Sequence, residues 1–219
     1  MKIEELYIWY KQCTGITTDT RNVKEGCMFF ALKGEKFNGN LFAADALKSG
    51  AKYVVVDEQI QHFDYDLEQV VIVDDVLKAM QQLGLYHRQQ VGCKVIALTG
   101  SNGKTTTKEL MAAVLSTTFK THFTKGNLNN HIGIPLTLLE MPADTEIAVV
   151  EMGANHQLEI KGYCDYVEPD YGLITNVGKA HLEGFGGEEG VVKGKTELYE
   201  YIGRKGGVLF VNDRSEKLI

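Results

Sequence analysis

Residues 95–106 read VIALTGSNGKTT, and this stretch decides the fold of the second half of the chain. The run Val95–Leu98 is apolar and partly β-branched, which is typical of a buried strand. Gly100 and Gly103 allow a tight turn that points backbone N–H groups at phosphate oxygens, and a helix beginning at Lys104 adds partial positive charge there. The stretch therefore predicts a strand, a phosphate-binding loop and a helix.

The side chains of this loop indicate that the ligand is a nucleoside triphosphate with its metal ion. Lys104 has the reach to contact terminal phosphates, and the Thr105 hydroxyl is a ligand for Mg²⁺. In the longer phosphate-loop pattern a further glycine stands where this chain has Leu98, so only the shorter form is present. The alternative is a glycine-rich turn with an exposed lysine. The residues expected to bind ATP are Gly100, Ser101, Asn102, Gly103, Lys104, Thr105 and Thr106.

The rest of the chain alternates between short apolar runs and helical spacing. Strands are predicted at 27–32, 53–56, 70–73, 95–98, 147–150, 172–175 and 207–211, and helices at 42–48, 75–90, 104–116 and 191–201, with Asp74 capping the second helix. Strands separated by helices of this length form parallel sheets. We therefore predict an α/β fold: a small N-terminal α/β domain, residues 1–90, followed by a phosphate-loop, mainly parallel-sheet ATPase domain, residues 91–219.

Polar clusters follow three of these strands, at 99–106, 151–156 and 176–181. Ligands of open parallel sheets bind beyond the carboxyl ends of the strands. We expect the three clusters to meet at one edge of the sheet and to form the site.

The composition excludes several classes of partner. A formal net charge of −6 gives no reason to expect nucleic acid or an anionic membrane. The acidic start, Met1–Glu5, does not fit a signal peptide, and no apolar run approaches the ~20 residues of a membrane span. Four isolated cysteines without a CxxC pair favour reduced thiols over zinc or redox chemistry, although two disulfides remain an alternative. We expect a cytoplasmic monomer.

Four stretches resemble the Mur ligase family. Thr99–Thr106 is similar to its ATP loop, and residues 124–135, TKGNLNNHIGIP, resemble its G-N-x-N-N-x-x-G-x-P segment. Thr18–Arg21 and Gly34–Asn40 are similar to two stretches of its N-terminal UDP-binding domain. Residues 124–135 are most typical of the member that joins D-alanyl-D-alanine (D-Ala-D-Ala) to UDP-N-acetylmuramoyl-tripeptide. The resemblance covers essentially the whole chain, whereas the chain covers about half of such an enzyme.

The resemblance implies a set of metal and catalytic residues. Glu151 matches a glutamate that binds Mg²⁺, and His181 matches a histidine of a Mg²⁺ site. Lys195 matches a lysine that is carbamylated, which requires a neutral amine and therefore a lowered pKa. The alternatives are that Glu151 is a solvated carboxylate, that His181 is structural and that Lys195 lies on the surface. Lys193 is a second match to the carbamylated lysine. The expected catalytic residues are Lys104, Lys195 and His181, and the expected metal ligands are Thr105, Glu151, His181 and Lys195.

The resemblance also implies substrate-binding residues in both domains. Arg21 is suited to pair with a diphosphate. The amides near residue 130 suit a ligand rich in hydroxyl and phosphate groups, but asparagine also favours ordinary turns. Asn38 and Asn40 stand where the family usually has Asp and His. The expected substrate-binding residues are Thr18, Asp19, Thr20, Arg21, Asn127, Asn129 and Asn130.

The mechanism that follows from the resemblance is amide synthesis through an acyl phosphate. The substrate carboxylate attacks the γ-phosphate of ATP, with Mg²⁺ stabilising charge, and the amine of D-Ala-D-Ala attacks the acyl phosphate. Because the sequence ends soon after a strand, we expect a truncated central domain. The resemblance implies that the amine site lies in a C-terminal domain, which we expect to be absent, so that this chain alone does not turn over.

Other functions remain open from the sequence. One is a related ligase, either the member that adds the third amino acid or a folylpolyglutamate synthase, against which residues 127–135 argue. Another is a phosphate-loop nucleotide-binding module without ligase activity. Such a module usually has an aspartate after the apolar strand, where this chain has Glu151.

Overall fold

The structure is a computed structural model that describes residues 1–58, 67–215 and 217–218. It divides into two compact units, Met1–His87 and Arg88–Ile219. The predicted boundary at residues 90 and 91 falls at the end of the helix Val76–Val91, in which the division also lies. Each unit has its own parallel sheet, so the predicted α/β class is confirmed.

The first unit has a four-stranded parallel sheet of order β1-β2-β5-β6. A small antiparallel pair, β3 and β4, lies apart from this sheet. The elements are α1 (Ile3–Tyr10), β1 (Ile16–Thr17), β2 (Met28–Phe30), β3 (Lys33–Gly34), β4 (Phe37–Asn38), α2 (Ala43–Lys48), β5 (Tyr53–Val56), β6 (Val70–Ile72) and α3 (Val76–Val91), with single 3-10 turns at Thr20–Asn22, Gly39–Phe42 and Leu67–Gln69.

Alternating side chains of β2 and β5 pack on α2 to form the core of this unit. Phe29, Val54 and Val56 are almost completely buried against small residues of α2. The β-branched run at 70–73 predicts a buried strand, and this is wrong at Ile72, which is 55% exposed on β6, an edge strand of the described sheet.

Asp75, and not the predicted Asp74, caps α3. The Asp75 carboxylate accepts from the backbone N–H of Lys78 at 2.9 Å, and the Asp75 carbonyl accepts from Ala79. This is the N-cap position, because the side chain satisfies an N–H of the first turn that has no acceptor within the helix. The prediction was wrong by one residue, because the two aspartates are adjacent and only the backbone geometry shows that the helix begins after the second.

The second unit has a five-stranded parallel sheet of order β11-β10-β7-β9-β8. Its strands are β7 (Lys94–Thr99), β8 (Thr121–Phe123), β9 (Ile147–Glu151), β10 (Tyr171–Ile174) and β11 (Val208–Phe210). Its helices are α4 (Lys104–Leu115), α5 (Gly133–Leu139), α6 (Glu159–Val167), α7 (Leu182–Phe185) and α8 (Glu188–Lys205).

The order of these strands creates a crevice beside β7. The chain leaves β7 towards β8 on one side, and it leaves β10 towards β11 on the other. Loops that diverge in this way open a crevice at the carboxyl ends of the two strands, where ligands of such sheets bind. The register pairs Leu98 with Glu151 and Thr99 with Ile174, so the three strands end at one level.

The expectation of reduced cysteines agrees with the structure. All four cysteines are free thiols, and three of them are buried. No helix within the described ranges is long and apolar enough to cross a bilayer.

Candidate active site at the carboxyl ends of the second sheet

The three polar clusters that follow β7, β9 and β10 meet, as predicted. The Thr99 hydroxyl donates to the carbonyl of Met152 after β9 at 2.7 Å. On the other side, the Thr175 hydroxyl donates to the carbonyl of Asn102 in the glycine loop at 2.7 Å. The end of β7 and the glycine loop are therefore joined to both neighbouring loops, by a buried hydrogen bond on one side and an exposed one on the other.

The two glycines of the loop are needed for its shape. Gly100 has a φ of +146° and Gly103 a φ of +75°, a region that favours glycine. A Cβ at Gly100 would also collide with the Thr175 hydroxyl. Gly103 is the N-cap of α4, whose first N–H groups have no acceptor within the helix and are suited to an anion.

The other loop residues fix the backbone. Ser101 Oγ donates to the carbonyl of Gly178 at 3.1 Å, and the Asn102 N–H donates to Asn176 Oδ1 at 3.0 Å. Thr106 is exposed on the first turn of α4. Side chains thus hold the loop in place, and its remaining N–H groups and Lys104 are the groups suited to phosphate.

Lys104 lies across the loop. Its ammonium donates to the carbonyl of Gly100 at 2.8 Å and to that of Ser101 at 3.4 Å. Burial lowers the pKa of Lys104, and the nearby Glu151 carboxylate partly opposes this effect. The alternative of an exposed lysine is therefore wrong.

Glu151, the last residue of β9, is 1% exposed, which excludes the alternative of a solvated carboxylate. Its Oε1 accepts from Asn129 Nδ2 at 2.8 Å and from the Thr105 hydroxyl at 3.3 Å. Its backbone N–H donates to Thr124 Oγ1 at 3.0 Å. The carboxylate is thus fixed beside the first turn of α4.

The second oxygen of this carboxylate fits a Mg²⁺ ligand. Glu151 Oε2 is buried, and within the described part of the chain no hydrogen-bond donor reaches it; Lys108 Nζ lies 3.8 Å away. A buried carboxylate oxygen without a hydrogen bond destabilises the folded chain unless another partner, such as a metal ion, binds it. Carboxylate and hydroxyl oxygens are ligands that Mg²⁺ prefers.

The number of protein ligands also suits this metal. Among the described residues no group of three or more His, Cys, Asp or Glu side chains is arranged to hold a metal. Mg²⁺ is commonly bound through one or two protein groups, with phosphate oxygens and water completing its shell. Glu151 and Thr105 therefore fit Mg²⁺ that is bound together with a nucleotide.

A cavity of about 310 Å³ opens beside the glycine loop. It is bordered by polar groups from five separate parts of the second unit. They include Gly100, Ser101, Lys104, Asn129, Asn130, Glu159, His181 and Lys195.

Lys195 is buried in the wall of this cavity, with only 2% of its surface exposed. Its ammonium donates to the carbonyl of Ala154 at 3.1 Å and lies 5.0 Å from the centre of the Phe185 ring. Burial and, to a smaller extent, the charge of Lys104 together lower the pKa of Lys195 to about 8, while the carboxylates of Glu159 and Glu197 oppose the shift. Lys193, the second match, is exposed.

His181 reaches the same cavity by an uncommon backbone conformation. Its φ is +54°, in the left-handed region, where it forms the N-cap of α7. Residues other than glycine rarely adopt this region, and they do so more often at functional sites. The side chain of His181 is exposed at the cavity.

The asparagine segment is both a turn and a border of the cavity. Asn130 Oδ1 accepts from the N–H groups of Ile132 and Gly133, and so caps α5. Asn129 binds Glu151, and both Asn129 and Asn130 border the cavity. Asn127 is exposed and does not border it; its carbonyl accepts from the N–H of Asn129 at 2.8 Å.

The predicted residues of the first unit form a separate surface cluster. The Arg21 guanidinium, 87% exposed, binds the Asp19 carboxylate at 2.6 Å, and its hydrogen bonds lower the pKa of Asp19 to about 2. Thr20 begins a 3-10 turn, and Thr18 is half-buried beside it. The cluster offers one cation to an anionic ligand.

The two asparagines that depart from the family pattern have internal partners. Asn40 is almost completely buried and exchanges hydrogen bonds with Asp57, at 2.8 and 3.0 Å. Asn38 donates to Glu58 at 2.9 Å. Both therefore fix the end of β5.

Three residues at the site were missed in the sequence. Lys108, completely buried, donates to the carbonyl of Gly126 at 3.1 Å and faces Glu151. Its position four residues after Lys104, on the same helix face, was an available signal. Thr124, which holds Glu151, opens the asparagine segment, but nothing in the sequence indicated Glu159 at the cavity.

Comparison with known proteins identifies both units. The family model of the Mur ligase middle domain matches residues 98–219, more than half of the chain. The model described as Mur ligase family, catalytic domain, matches residues 12–88.

Curated relatives carry one name. The chain is 42% identical over 199 residues to UDP-N-acetylmuramoyl-tripeptide–D-alanyl-D-alanine ligase of Bacillus subtilis (strain 168), covering 91% of this chain and 43% of the relative. The protein of the same name from Escherichia coli (strain K12) is 43% identical over 203 residues, covering 93% and 44%. The chain thus spans less than half the length of these relatives.

Solved structures agree with this result. MurF from Acinetobacter baumannii superposes with a TM-score of 0.86 and 38% identity, over 98% of this chain and 49% of that one. MurF ligase from Thermotoga maritima in complex with ADP has a TM-score of 0.76 and 31% identity, over 88% and 44%. The chain belongs to the Mur ligase family.

Proposed function

We propose that this chain provides the ATP site and part of the substrate site of a ligase. That ligase joins D-Ala-D-Ala to UDP-N-acetylmuramoyl-tripeptide in peptidoglycan precursor synthesis, as a monomer in the cytoplasm, where ATP is available. One observation carries the proposal: the glycine loop and the buried Lys195 amine border one cavity, and the buried Glu151 carboxylate is bonded to Asn129, which borders the same cavity. The shared name of the relatives supports this choice of substrates.

The glycine loop and Lys104 would bind the phosphates of ATP. Lys104, the first residue of α4, borders the cavity, and its ammonium and the first N–H groups of the helix supply positive charge. To bind the γ-phosphate, Lys104 would exchange its bonds to the loop carbonyls for bonds to phosphate oxygens. These charge-assisted bonds are stronger than those to neutral carbonyls.

The cavity would hold the substrate carboxylate against the terminal phosphate. A carboxylate is a poor electrophile, so its oxygen attacks the γ-phosphorus, the bond to the β-phosphate oxygen breaks, and an acyl phosphate and ADP result. The amine of D-Ala-D-Ala then attacks the acyl carbon, the bond from that carbon to the phosphate oxygen breaks, and the amide, phosphate and a proton result. Positioning in a cavity that excludes water contributes much of the rate of such transfers.

Glu151 and Thr105 would hold Mg²⁺, which when bound neutralises charge on the phosphates. The Lys195 amine has the lowered pKa that reaction with CO₂ requires, since only the neutral form is a nucleophile. A bond from Nζ to the carbon of CO₂ and loss of a proton give a carbamate anion, a further oxygen ligand beside His181.

Each unit would contribute polar groups that bind substrate. Asn129 and Asn130 present amides at the cavity, and His181 presents its ring there. On the first unit, Arg21 would exchange Asp19 for the diphosphate of the UDP group. Asn127, Thr18 and Thr20 would contribute at the margins of these two regions.

Calorimetric titration tests the proposal. A non-hydrolysable ATP analogue is titrated into the chain with and without Mg²⁺, followed by UDP-N-acetylmuramoyl-tripeptide. We expect Mg²⁺ to strengthen binding of the analogue in the wild type and in Glu140→Gln, which changes an exposed glutamate. Glu151→Gln keeps the shape of the side chain but should lose the effect of Mg²⁺. Absence of binding by either ligand to the wild-type chain would refute the proposal.

A further inference from the structure

Glu197 is a buried carboxylate that the proposed chemistry does not use. It lies on α8, two residues beyond Lys195, and is only 6% exposed. Its Oε1 accepts from the N–H of Leu158 at 2.6 Å, and its Oε2 accepts from the N–H of Lys161 at 2.9 Å. Both oxygens of one side chain are therefore used by the backbone of another helix.

Those two N–H groups are at the beginning of α6, where the helix itself offers no acceptor. Leu158, the N-cap, has a φ of +71° and a side chain that cannot accept a hydrogen bond. Glu197 takes the place of the missing capping side chain, and its negative charge also suits the positive end of a helix. The first turn of α6 is thus held by a residue distant in sequence.

The fixed start of α6 in turn holds the backbone that faces Lys195. Glu159, the first residue of α6, accepts from the N–H groups of Asn155 and His156 at 2.7 and 2.9 Å. The carbonyl of Ala154, the residue before them, accepts a hydrogen bond from Lys195 Nζ. Hydrogen bonds and the backbone between them therefore connect the Glu197 carboxylate, through the start of α6 and residues 154–156, to the amine of Lys195.

The opposite side of Lys195 is fixed without Glu197. Gly190 and Gly194 let α8 approach α7 so closely that a Cβ at either would collide with Phe185. The Phe185 ring lies below the Lys195 amine. The Lys195 amine therefore has an apolar side, formed by Phe185 and fixed by packing. Its other side is polar, formed by Ala154 and connected to the Glu197 carboxylate.

We propose that Glu197 is a positioning residue, which holds residues 154–161 so that the Ala154 carbonyl and the Glu159 carboxylate stay beside the Lys195 amine. The inference rests on the proposed function, in which this amine becomes a carbamate. Glu197 acts on the reaction only indirectly, through the backbone of residues 154–161 and the Lys195 amine that this backbone holds.

Carbon-13 NMR measures the consequence. The chain is equilibrated with ¹³C-bicarbonate, Mg²⁺ and a non-hydrolysable ATP analogue, and the carbamate signal is assigned by its loss in Lys195→Met. We expect Glu197→Ala to reduce the signal about tenfold or more, since it removes two charge-assisted hydrogen bonds. Glu200→Ala, an exposed glutamate of the same helix, should leave the signal unchanged.

Glu197→Gln separates positioning from charge. Gln keeps one acceptor, so a positioning role predicts a carbamate signal between those of the wild type and Glu197→Ala. If Glu197 acted only by its charge, the Gln variant would exceed the wild type, because a carboxylate disfavours a nearby anion. A signal in Glu197→Ala equal to that of the wild type would also overturn the inference.

A second measurement decides the inference even without a carbamate. Acetylation of Lys195 by limiting acetic anhydride is followed by mass spectrometry in CO₂-free buffer, on samples whose folding is checked by circular dichroism. We expect Glu197→Ala to raise the acetylation rate at least about fivefold, because residues 154–161 no longer cover the amine. Absence of the carbamate from the wild type refutes the modification, and an unchanged acetylation rate refutes the role of Glu197.

Discussion

The two units present their charged groups in opposite ways. In the second unit, Glu151 and Lys195 are 1% and 2% exposed, and each forms a hydrogen bond with a residue that borders the cavity. In the first unit, Arg21 is 87% exposed and its bonds are to the neighbouring Asp19. The charged residues of both units were expected to act on phosphate groups, yet only those of the second unit are buried.

This difference separates two tasks. Charges that act on a reacting phosphate gain from burial, since electrostatic interactions are stronger away from water and need no reorganisation. A charge that only retains a substrate works in solvent, at the cost of weaker and salt-dependent binding. The comparison therefore predicts large effects of pH and mutation in the second unit and small ones in the first.

The largest expected effect is the pH dependence of stability caused by Lys195. Its pKa is about 8 in the folded chain against 10.5 for an ordinary lysine, so between these values the unfolded chain binds more protons. Stability therefore rises with pH across this window. Relative to Lys195→Met, we expect a gain for the wild type of about 3 kcal/mol.

Urea unfolding in CO₂-free buffer from pH 8 to 10.5 measures this gain. Lys193→Met, which changes an exposed lysine, should follow the wild type at every pH. A constant difference between the wild type and Lys195→Met would show that the amine is not perturbed by burial.

The second effect concerns Lys104. Lys104→Met should weaken binding of a non-hydrolysable ATP analogue with Mg²⁺ about 100-fold, because a charge-assisted bond to phosphate is worth about 1.5–3 kcal/mol. Titration calorimetry measures the change. Lys120→Met, an exposed lysine paired with Asp144, is the control and should bind like the wild type. Equal binding by all three proteins would place the nucleotide elsewhere.

A smaller effect is expected at Arg21. Arg21→Ala should weaken binding of UDP-N-acetylmuramoyl-tripeptide about tenfold at low salt and less at high salt, since exposed charges are screened. The loss is limited because Arg21 must leave Asp19 to bind the ligand. Lys24→Ala, a nearby exposed cation, should not change affinity. A loss that does not depend on salt would contradict the comparison.

The smallest effect concerns α3 and leaves the sites unchanged. Asp75→Ala removes the N-cap bond to Lys78 and should lower the free energy of unfolding by about 1 kcal/mol. Asp74→Ala, at the exposed neighbour, should have almost no effect. Thermal unfolding of both variants tests this assignment, and a larger loss for Asp74→Ala would reverse it.

The sequence predicted those parts of the fold whose signals are local. The β-branched runs at 53–56 and 147–150 and the glycine loop at 100–103 carry their conformation in their own residues, and their strands and turn were found. The exposure of Ile72 was not predicted, because strand order decides which strand lies at an edge. The choice between Asp74 and Asp75 needed a backbone hydrogen bond.

The candidate site was predictable in part for the same reason. The meeting of three loops follows from strand order in parallel sheets, and the residue types of the loop indicate phosphate. The burial of Lys195 depends on Phe185 and on two glycines of α8, and α6 is capped by a residue 39 positions away. Such contacts between distant segments leave no periodic pattern in the sequence.

A crystal structure of the chain with Mg²⁺ and a non-hydrolysable ATP analogue tests the central claim most directly. It should show the β- and γ-phosphates on the N–H groups of the glycine loop, with Lys104 moved from the Gly100 carbonyl to phosphate and Glu151 facing the metal. A nucleotide bound outside the cavity, or a metal without Glu151 and Thr105 near it, would contradict the account.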